Sequence, residues 1–262
     1  MITNYQRPQT LDEALTLLSQ PNTLPLGGGT LLSHAQPDPV SVVDLQLLGL
    51  NHIHKKGNNL EIGATVTLQQ LLESEHCPES LTSAIKLEAP INLRNSATVA
   101  GTLVTCDGRS SIACALLAMD AKIEMRELGI GNRTSANSQI TAPDSRTANI
   151  GEFLPIRPRG LITLITIPLH VKFAFEYVSR TPSDKPIVCA ALAEWTGGRA
   201  RLAIGGWGKS PSLAMDGTEA HGLDTAARNA CHEATDEWGS AEYRMDVAAT
   251  LAKRCLENLT EN

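Results

Sequence analysis

Three successive glycines lie between two short apolar segments near the start of the chain, in the stretch PLGGGTLL at 25–32. Glycine allows positive φ and removes the side chain that would hold a ligand at a distance. Consecutive N–H groups in such a turn can converge on an anion, and Thr30 adds a hydroxyl donor. The stretch matches neither GxGxxG nor GxxxxGK[ST]. It therefore leaves two interpretations open, a phosphate-binding turn or an ordinary tight turn after a strand.

Length and charge limit how many domains the chain can form and which functions it can have. With 262 residues the chain can hold one large domain or two to three small ones. The formal net charge of −6 and the lack of a basic stripe argue against nucleic-acid binding. The apolar runs are too short for a membrane span, and residues 1–8 lack the apolar core of a secretion signal. We therefore expect a cytoplasmic protein with no membrane span.

Metal and catalytic motifs are not evident. The six cysteines are scattered and form no CxxC pair, which argues against an iron–sulfur cluster or a structural zinc site in this chain. The seven histidines show no metal-ligand spacing, and His232-Glu233 lacks the second histidine of HExxH. We expect reduced thiols, no metal ligands, and no catalytic triad or carboxylate pair.

Local patterns predict an α+β chain. Capping boxes at Thr10 and Thr67 begin helices, and an apolar helix follows Ser110 and Ser111. We interpret 92–103 as a strand and a bend, and 126–147 as a turn and a loose loop. The other predicted strands are 24–26, 40–45, 52–55, 60–64, 121–125, 161–168, 172–178, 186–195 and 199–205, and the other predicted helices are 81–89, 150–154, 222–231 and 240–259.

These elements suggest three units. Residues 1–50 form a small α/β lobe around the glycine turn, and residues 51–169 form a second α/β lobe. Residues 170–262 form an antiparallel sheet with helices, whose apolar helical stripes are typical of a core.

A second stretch of small residues, RNSATVAGTL at 94–103, precedes the apolar helix. Together with PLGGGTLL, VVDL at 42–45, LEIGATVT at 60–67 and LITLITIP at 161–168, it resembles a known family over nearly the whole chain. That family is the FAD-binding medium subunit of molybdenum hydroxylases, which include carbon monoxide, nicotine and xanthine dehydrogenases. The resemblance implies a fold of the vanillyl-alcohol-oxidase type, with two α/β lobes that hold FAD and a C-terminal antiparallel sheet with helices.

The resemblance also assigns residues to the cofactor, with its pyrophosphate between the two stretches. These residues are Leu26, Gly27, Gly28, Gly29, Thr30 and Leu31 on one side, Thr98, Ala100, Gly101 and Thr102 on the other, and Ser111, Ile162 and Lys185 elsewhere. Ser111 stands where the family usually has an aspartate, and Lys185 would face the flavin ring. The family's Gly-Gly-Asn appears here as Ala100-Gly101-Thr102, which is a small loss only if φ of Ala100 is negative.

The function that the resemblance implies is electron transfer. FAD on this chain would receive electrons from an iron–sulfur small subunit and pass them to NAD+, a quinone or oxygen. A molybdenum-cofactor large subunit would act on the substrate, which accounts for the lack of catalytic residues here. Two alternatives stay open: a non-catalytic assembly scaffold with a degenerate flavin site, and a stand-alone flavin oxidase.

Overall fold

The computed structural model describes residues 1–34, 38–128, 145–218 and 220–261. These residues form three β-sheets with helices packed on them, which confirms the α+β class. The predicted boundaries between the three units stay a prediction. None of the described helices combines the length and the apolar character needed to cross a membrane.

The first lobe is a parallel sheet with one covering helix. Its strands, in the spatial order β1-β3-β2, are β1 (Ile2–Gln6), β2 (Thr23–Leu26) and β3 (Val40–Asp44), and its helix is α1 (Leu11–Leu18). The Thr10 hydroxyl caps α1 by accepting a hydrogen bond from Glu13 N at 3.3 Å. Because the strands are parallel, their carboxyl ends meet at one edge, where ligands of open α/β sheets commonly bind.

The second lobe is an antiparallel sheet of order β4-β5-β8-β6-β7 with six helices. Its strands are β4 (Ile53–Lys56), β5 (Asn59–Gly63), β6 (Lys122–Glu127), β7 (Ser145–Asn149) and β8 (Gly160–Pro168). Its helices are α2 (Leu68–Glu73), α3 (Thr82–Glu88), α4 (Ile91–Arg94), α5 (Val99–Thr105), α6 (Ser111–Ala118) and α7 (Ile150–Ile156), with a 3₁₀ turn at Glu79–Leu81. Every residue of helix α6 is buried, which agrees with its apolar sequence on every face.

The prediction of a strand and a bend at 92–103 was wrong. This stretch forms most of α4 and α5 instead. Thr98 caps α5 by accepting a hydrogen bond from Gly101 N at 3.0 Å, and the α5 side chains Val99 and Leu103 are fully buried. Small and β-branched residues leave local preference undecided, so capping and burial select the helix.

Three described strands were not predicted. Strands β1, β7 and β12 (Ser212–Gly217) are edge strands with mostly exposed or half-buried residues. Their sequences therefore lack the regular apolar alternation that predicts a half-buried strand. The predicted loop at 126–147 was wrong at both ends, because residues 126–127 belong to β6 and residues 145–147 belong to β7, whereas 129–144 lie outside the described residues.

The C-terminal sheet packs on both faces. Strands β9 (Val171–Val178), β10 (Val188–Trp195) and β11 (Ala200–Gly205) join β12 in an antiparallel sheet of order β12-β11-β10-β9. Cys189 and Ala191 of β10 lie in the same core as α6. Residues of the opposite face, such as Leu192, pack against α8 (Leu223–Ala230) and α9 (Ala241–Glu261). The sheet is therefore buried on two sides, which explains why β10 and β11 are apolar rather than alternating.

A charge cluster ties this sheet to the second lobe. Asp120, which follows α6, lies 2.9 Å from Arg199 Nη1 and 3.3 Å from Arg201 Nη1. Both arginines also pair with Asp216 of β12, at 2.8 and 2.6 Å. The hydrogen bond from Arg199 is the largest cause of the lowered pKa of Asp216, which lies below its ordinary value of 3.8.

We predict that Asp216→Asn lowers the melting temperature at neutral pH. The stabilisation from a carboxylate with a lowered folded-state pKa is present above about pH 4 and is lost as the pH falls through that pKa. Thermal melts of wild type and variant should therefore differ at pH 7 and converge in acid. Asp184→Asn is the control, because Asp184 forms no ion pair in the described structure. A difference in melting temperature between wild type and Asp216→Asn that grows as the pH falls would contradict this account.

Candidate functional site

The two small-residue stretches meet at one cavity between the first and second lobes. We call this the apolar cavity; its volume is about 230 Å³. It is lined by Leu24, Pro25, Gly27, Gly28, Gly29, Thr30, Leu31, Leu32, Leu45, Ala64, Thr98, Ala100, Gly101, Thr102, Val104, Thr105, Gly160, Leu161 and Ile162. Residues of both stretches therefore line one cavity, and their role as a cofactor site stays a prediction.

The glycine turn presents unpaired backbone donors to this cavity. Strand β2 ends at Leu26, whose carbonyl accepts a hydrogen bond from Leu45 N at 3.1 Å. Within the described residues, the N–H groups of Gly27, Gly28, Gly29 and Thr30 donate no hydrogen bond to a protein acceptor. Gly29 has a φ of +71°, which glycine adopts without strain. Such a run of free N–H groups is suited to an anion.

The second stretch faces the same cavity from helix α5. Thr98 caps the helix, and the Thr102 hydroxyl donates to the Thr98 carbonyl at 2.9 Å. Ala100 lies within α5 and is not among the residues with positive φ. Alanine in place of the family's glycine is therefore accommodated here without backbone strain.

The two lobes touch through the backbone at the glycine turn. A Cβ atom built on Gly28 would lie 1.6 Å from the Ser96 carbonyl oxygen, and one on Gly27 would lie 3.1 Å from Thr98 Oγ1. A side chain at 28 would thus collide with the neighbouring loop of the second lobe. Glycine at this position is required by contact between the lobes, a role that reasoning about a ligand alone did not anticipate.

The beginning of helix α6, where Ser110 caps the helix, is not open to an external anion. The Glu88 carboxylate already occupies it: Glu88 Oε2 accepts hydrogen bonds from Ser110 Oγ at 2.8 Å and Ile112 N at 3.0 Å. Ser111 Oγ lies 3.1 Å from the same oxygen and 2.7 Å from the Ala84 carbonyl. The protein therefore supplies its own anion at this helix end.

Three of the assigned residues lie outside the cavity lining. Ser111 is fully buried at the Glu88 carboxylate. The Lys185 ammonium lies 3.3 Å from both carboxylate oxygens of Asp107, in the connection between α5 and α6. The Leu26 side chain lies behind the turn, 3.2 Å from a Cβ built on Gly29. Leu31 and Ile162, in contrast, line the cavity.

Part of the apolar wall of the cavity was not among the residues assigned to the cofactor. Leu45 follows β3, and Ala64 follows β5 directly and lies beside β8, which contains Leu161, since Ala64 N donates to Thr163 O at 3.2 Å. The signal was present in the pattern of buried strands. It became interpretable only with the pairing of β5 and β8, which places the two side by side.

A second cavity of about 450 Å³ lies beside the glycine turn. We call this the polar cavity; it is lined by Arg7, Gly27, Gly28, Gln46, Asn51, Thr65, Thr67, Gln70, Asn95, Ser96 and Thr98. Gly27, Gly28 and Thr98 thus line both cavities. The motifs assigned these three residues to the cofactor, whereas the other residues that line the polar cavity were not assigned.

Metal and thiol chemistry find little support in the described residues. They contain no group of three or more His, Cys, Asp or Glu side chains placed to hold a metal ion. Burial raises the pKa of the Cys106 thiol to about 11 and that of Cys77 to about 11, which disfavours the reactive thiolate at neutral pH.

Comparison with known families decides the class. The model of the FAD-binding domain in molybdopterin dehydrogenase matches residues 1–170, which contain both cavities and both small-residue stretches. The chain belongs to this family. The predicted resemblance and the predicted cofactor, FAD, are confirmed, and homologous chains are oxidoreductase subunits.

Individual relatives match along their full length. The glyceraldehyde dehydrogenase medium chain of Sulfolobus acidocaldarius is 23% identical over 282 residues, covering 98% of each chain. The carbon monoxide dehydrogenase medium chain of Afipia carboxidovorans is 24% identical and covers 97% of this chain and 95% of its own. The crystal structure of quinoline 2-oxidoreductase from Pseudomonas putida 86 superposes with a TM-score of 0.78 at 20% identity, over 100% and 98% of the chains, and so shows a shared fold.

The residues present fit a flavin dinucleotide. Its diphosphate needs hydrogen-bond donors, and the free N–H groups of the glycine turn provide them without cations. Its ring systems would need apolar walls, and Leu161 and Ile162 are among the apolar residues that line the cavity. When bound, FAD supplies the redox chemistry, and the protein supplies position and electrostatics.

We predict that Gly28→Ala destabilises the flavin-free protein, because the new methyl group meets the Ser96 carbonyl. Overpacking of this kind costs about 1–3 kcal/mol of unfolding free energy. Denaturant melts should show this loss, whereas Gly197→Ala, where a built Cβ meets nothing within 4 Å, should change stability little. If the two variants were equally stable, the inferred close contact between Gly28 and the Ser96 carbonyl would be contradicted.

Proposed function

We propose that this chain is the FAD-bearing electron-transfer subunit of a molybdenum-cofactor hydroxylase or dehydrogenase. Electrons reach its flavin from iron–sulfur clusters on a small partner subunit and leave to an external acceptor such as NAD+, a quinone or oxygen. A molybdenum-cofactor large subunit acts on the organic substrate. The observation that supports this most directly is the shared cavity, where free N–H groups lie beside apolar walls.

Each side of the cavity has a separate task in this proposal. Gly27, Gly28, Gly29 and Thr30 bind the diphosphate through backbone N–H groups. Thr98 and Thr102 stabilise the start of α5 through hydrogen bonds within the helix, in which Thr98 Oγ1 accepts from Gly101 N at 3.0 Å and the Thr102 hydroxyl donates to Thr98 O at 2.9 Å. Leu31 and Ile162 shield the cofactor from water. The fold is, in this proposal, of the vanillyl-alcohol-oxidase type.

The partners are inferred from the relatives. Several relatives are named as medium chains or medium subunits of dehydrogenases or hydroxylases. Such names imply assemblies with other subunits, and the present chain covers 94–98% of the first relatives' length. The six free thiols support a reducing compartment, for which we propose the cytoplasm.

We predict that Thr30→Glu weakens FAD binding about 10- to 100-fold, because a carboxylate beside the diphosphate adds repulsion at short range. Thr30→Gln has similar size and no charge, so it should stay within a few fold of wild type. Titration of the apoproteins with FAD, followed by flavin fluorescence, measures both. If the two variants bound FAD with equal affinity, the proposed position of Thr30 beside the diphosphate would be contradicted.

The alternatives make different predictions for the purified protein. A degenerate scaffold would show no visible flavin absorbance and no FAD uptake, which would overturn the proposed function. A stand-alone oxidase would be reduced by an organic substrate with no other subunit present. Co-purification from the host should instead recover an iron–sulfur protein and a molybdenum protein with this chain.

A further inference from the structure

A third cavity, of about 420 Å³, lies at the carboxyl end of helix α6, between the second lobe and the C-terminal sheet. We call this the α6 cavity. Its lining comes from the end of α6 with Asp120, from helix α7, and from strands β11 and β12. It shares no lining residue with the apolar cavity or the polar cavity. It is therefore separate from the cleft beside the glycine turn.

The α6 cavity contains a buried donor without a partner. Arg201, which lines the cavity, is 5% exposed. Its Nη1 donates to Asp216 Oδ2 at 2.6 Å, and its Nη2 donates to the Leu117 carbonyl at 3.1 Å. Its Nε is also buried but has no acceptor among the described residues. An unpaired buried donor is unfavourable, so Arg201 Nε indicates an acceptor that these residues do not supply.

A buried acceptor without a hydrogen bond lies on the neighbouring side chain. Asp120 Oδ2 accepts from Arg199 Nη1 at 2.9 Å. Asp120 Oδ1 is buried and lies 3.3 Å from Arg201 Nη1, an ion pair that does not have hydrogen-bond geometry. No other side chain or backbone group in the described part of the chain donates to this oxygen. The cavity thus presents one unpaired donor and one unpaired acceptor next to each other.

The charges and walls of the cavity narrow the class of ligand. Arg201 already pairs with two carboxylates, and Glu152 adds a negative charge that has no partner among the described residues. An anion is therefore disfavoured, and the guanidinium itself disfavours a cation beside Nε. Leucines and prolines form much of the remaining lining, namely Leu117, Leu154, Pro155, Pro211 and Leu213. These properties fit a neutral ligand with an apolar ring.

We propose that the α6 cavity binds a small neutral molecule that carries a planar amide on an apolar ring, such as an aromatic carboxamide or a lactam. The amide carbonyl accepts from Arg201 Nε, and the amide N–H donates to Asp120 Oδ1. One amide carries both functions, whereas a carboxylate only accepts and an amidinium only donates. The ligand joins the end of α6 to β11 and so stabilises the packing of the second lobe on the C-terminal sheet. This site does not depend on the proposed function.

Three probes of nearly equal shape test the class of ligand on the full-length protein, with excess FAD present to fill the cleft. Benzamide both donates and accepts, benzoate only accepts, and benzamidine only donates. Calorimetric titration should give a dissociation constant of about 1 mM or lower for benzamide. The other two probes should bind at least about tenfold more weakly, because each leaves one buried atom unpaired. No measurable binding of benzamide, or equal binding of all three probes, would overturn the proposal.

Variants test where benzamide binds. Arg201→Lys keeps a cation beside Asp216 but removes the Nε donor, so the dissociation constant of benzamide should rise about fivefold. Leu213→Trp fills the cavity from a position that is 40% exposed, and it should abolish binding. Its control is Leu93→Trp, at a position that is 45% exposed and lines none of the three cavities, which should bind benzamide like the wild type.

The two tryptophan variants keep the proposal falsifiable even if Arg201→Lys fails to fold. Benzamide affinity that is unchanged in Leu213→Trp, or reduced equally in Leu213→Trp and Leu93→Trp, would overturn the α6 cavity as the binding site. A wild-type protein that binds benzamide but takes up no FAD would contradict the proposed function and support this site.

Discussion

The backbone contact between Gly28 and Ser96 is the interaction on which the site depends. It brings the glycine turn of the first lobe against the loop that begins α5 in the second lobe. Gly28 lines both cavities, and Ser96 lines the polar cavity. A side chain at Gly28 would separate the lobes, so the same glycine that shapes the turn also sets the width of the cleft.

The protein leaves one place open for an anion and closes another. Helix α6 begins beside the small-residue connection, but the Glu88 carboxylate accepts the hydrogen bonds of its first turn. The glycine turn has no such carboxylate, and its N–H groups have no protein acceptor among the described residues. The chain has a net charge of −6, which would repel a phosphate. The neutral N–H groups of the glycine turn favour a phosphate locally in spite of that charge.

Much of the fold could be predicted because buried helices and strands have a recognisable spacing of apolar residues. The capping box at Thr67, the apolar helix α6 and the closing proline of β8 all appear as expected. The edge strands β1, β7 and β12 carry no such pattern, because their side chains are mostly exposed. The helices at 91–105 were missed because their small residues suit several conformations, and tertiary packing chooses one.

The sequence motifs predicted the two loops of the site. They did not predict most of the apolar wall or the polar cavity. Motifs mark positions where backbone meets ligand, whereas Thr65 and Asn95, both in the second lobe, converge through its internal packing, where Val99 N donates to Val66 O at 2.9 Å. The departures from the family pattern become intelligible in the same way. Ala100 is helical and needs no glycine, and the carboxylate expected at Ser111 is supplied to the same helix end by Glu88. Both departures are therefore accommodated by the structure around them, so motif departures alone do not argue for a degenerate site.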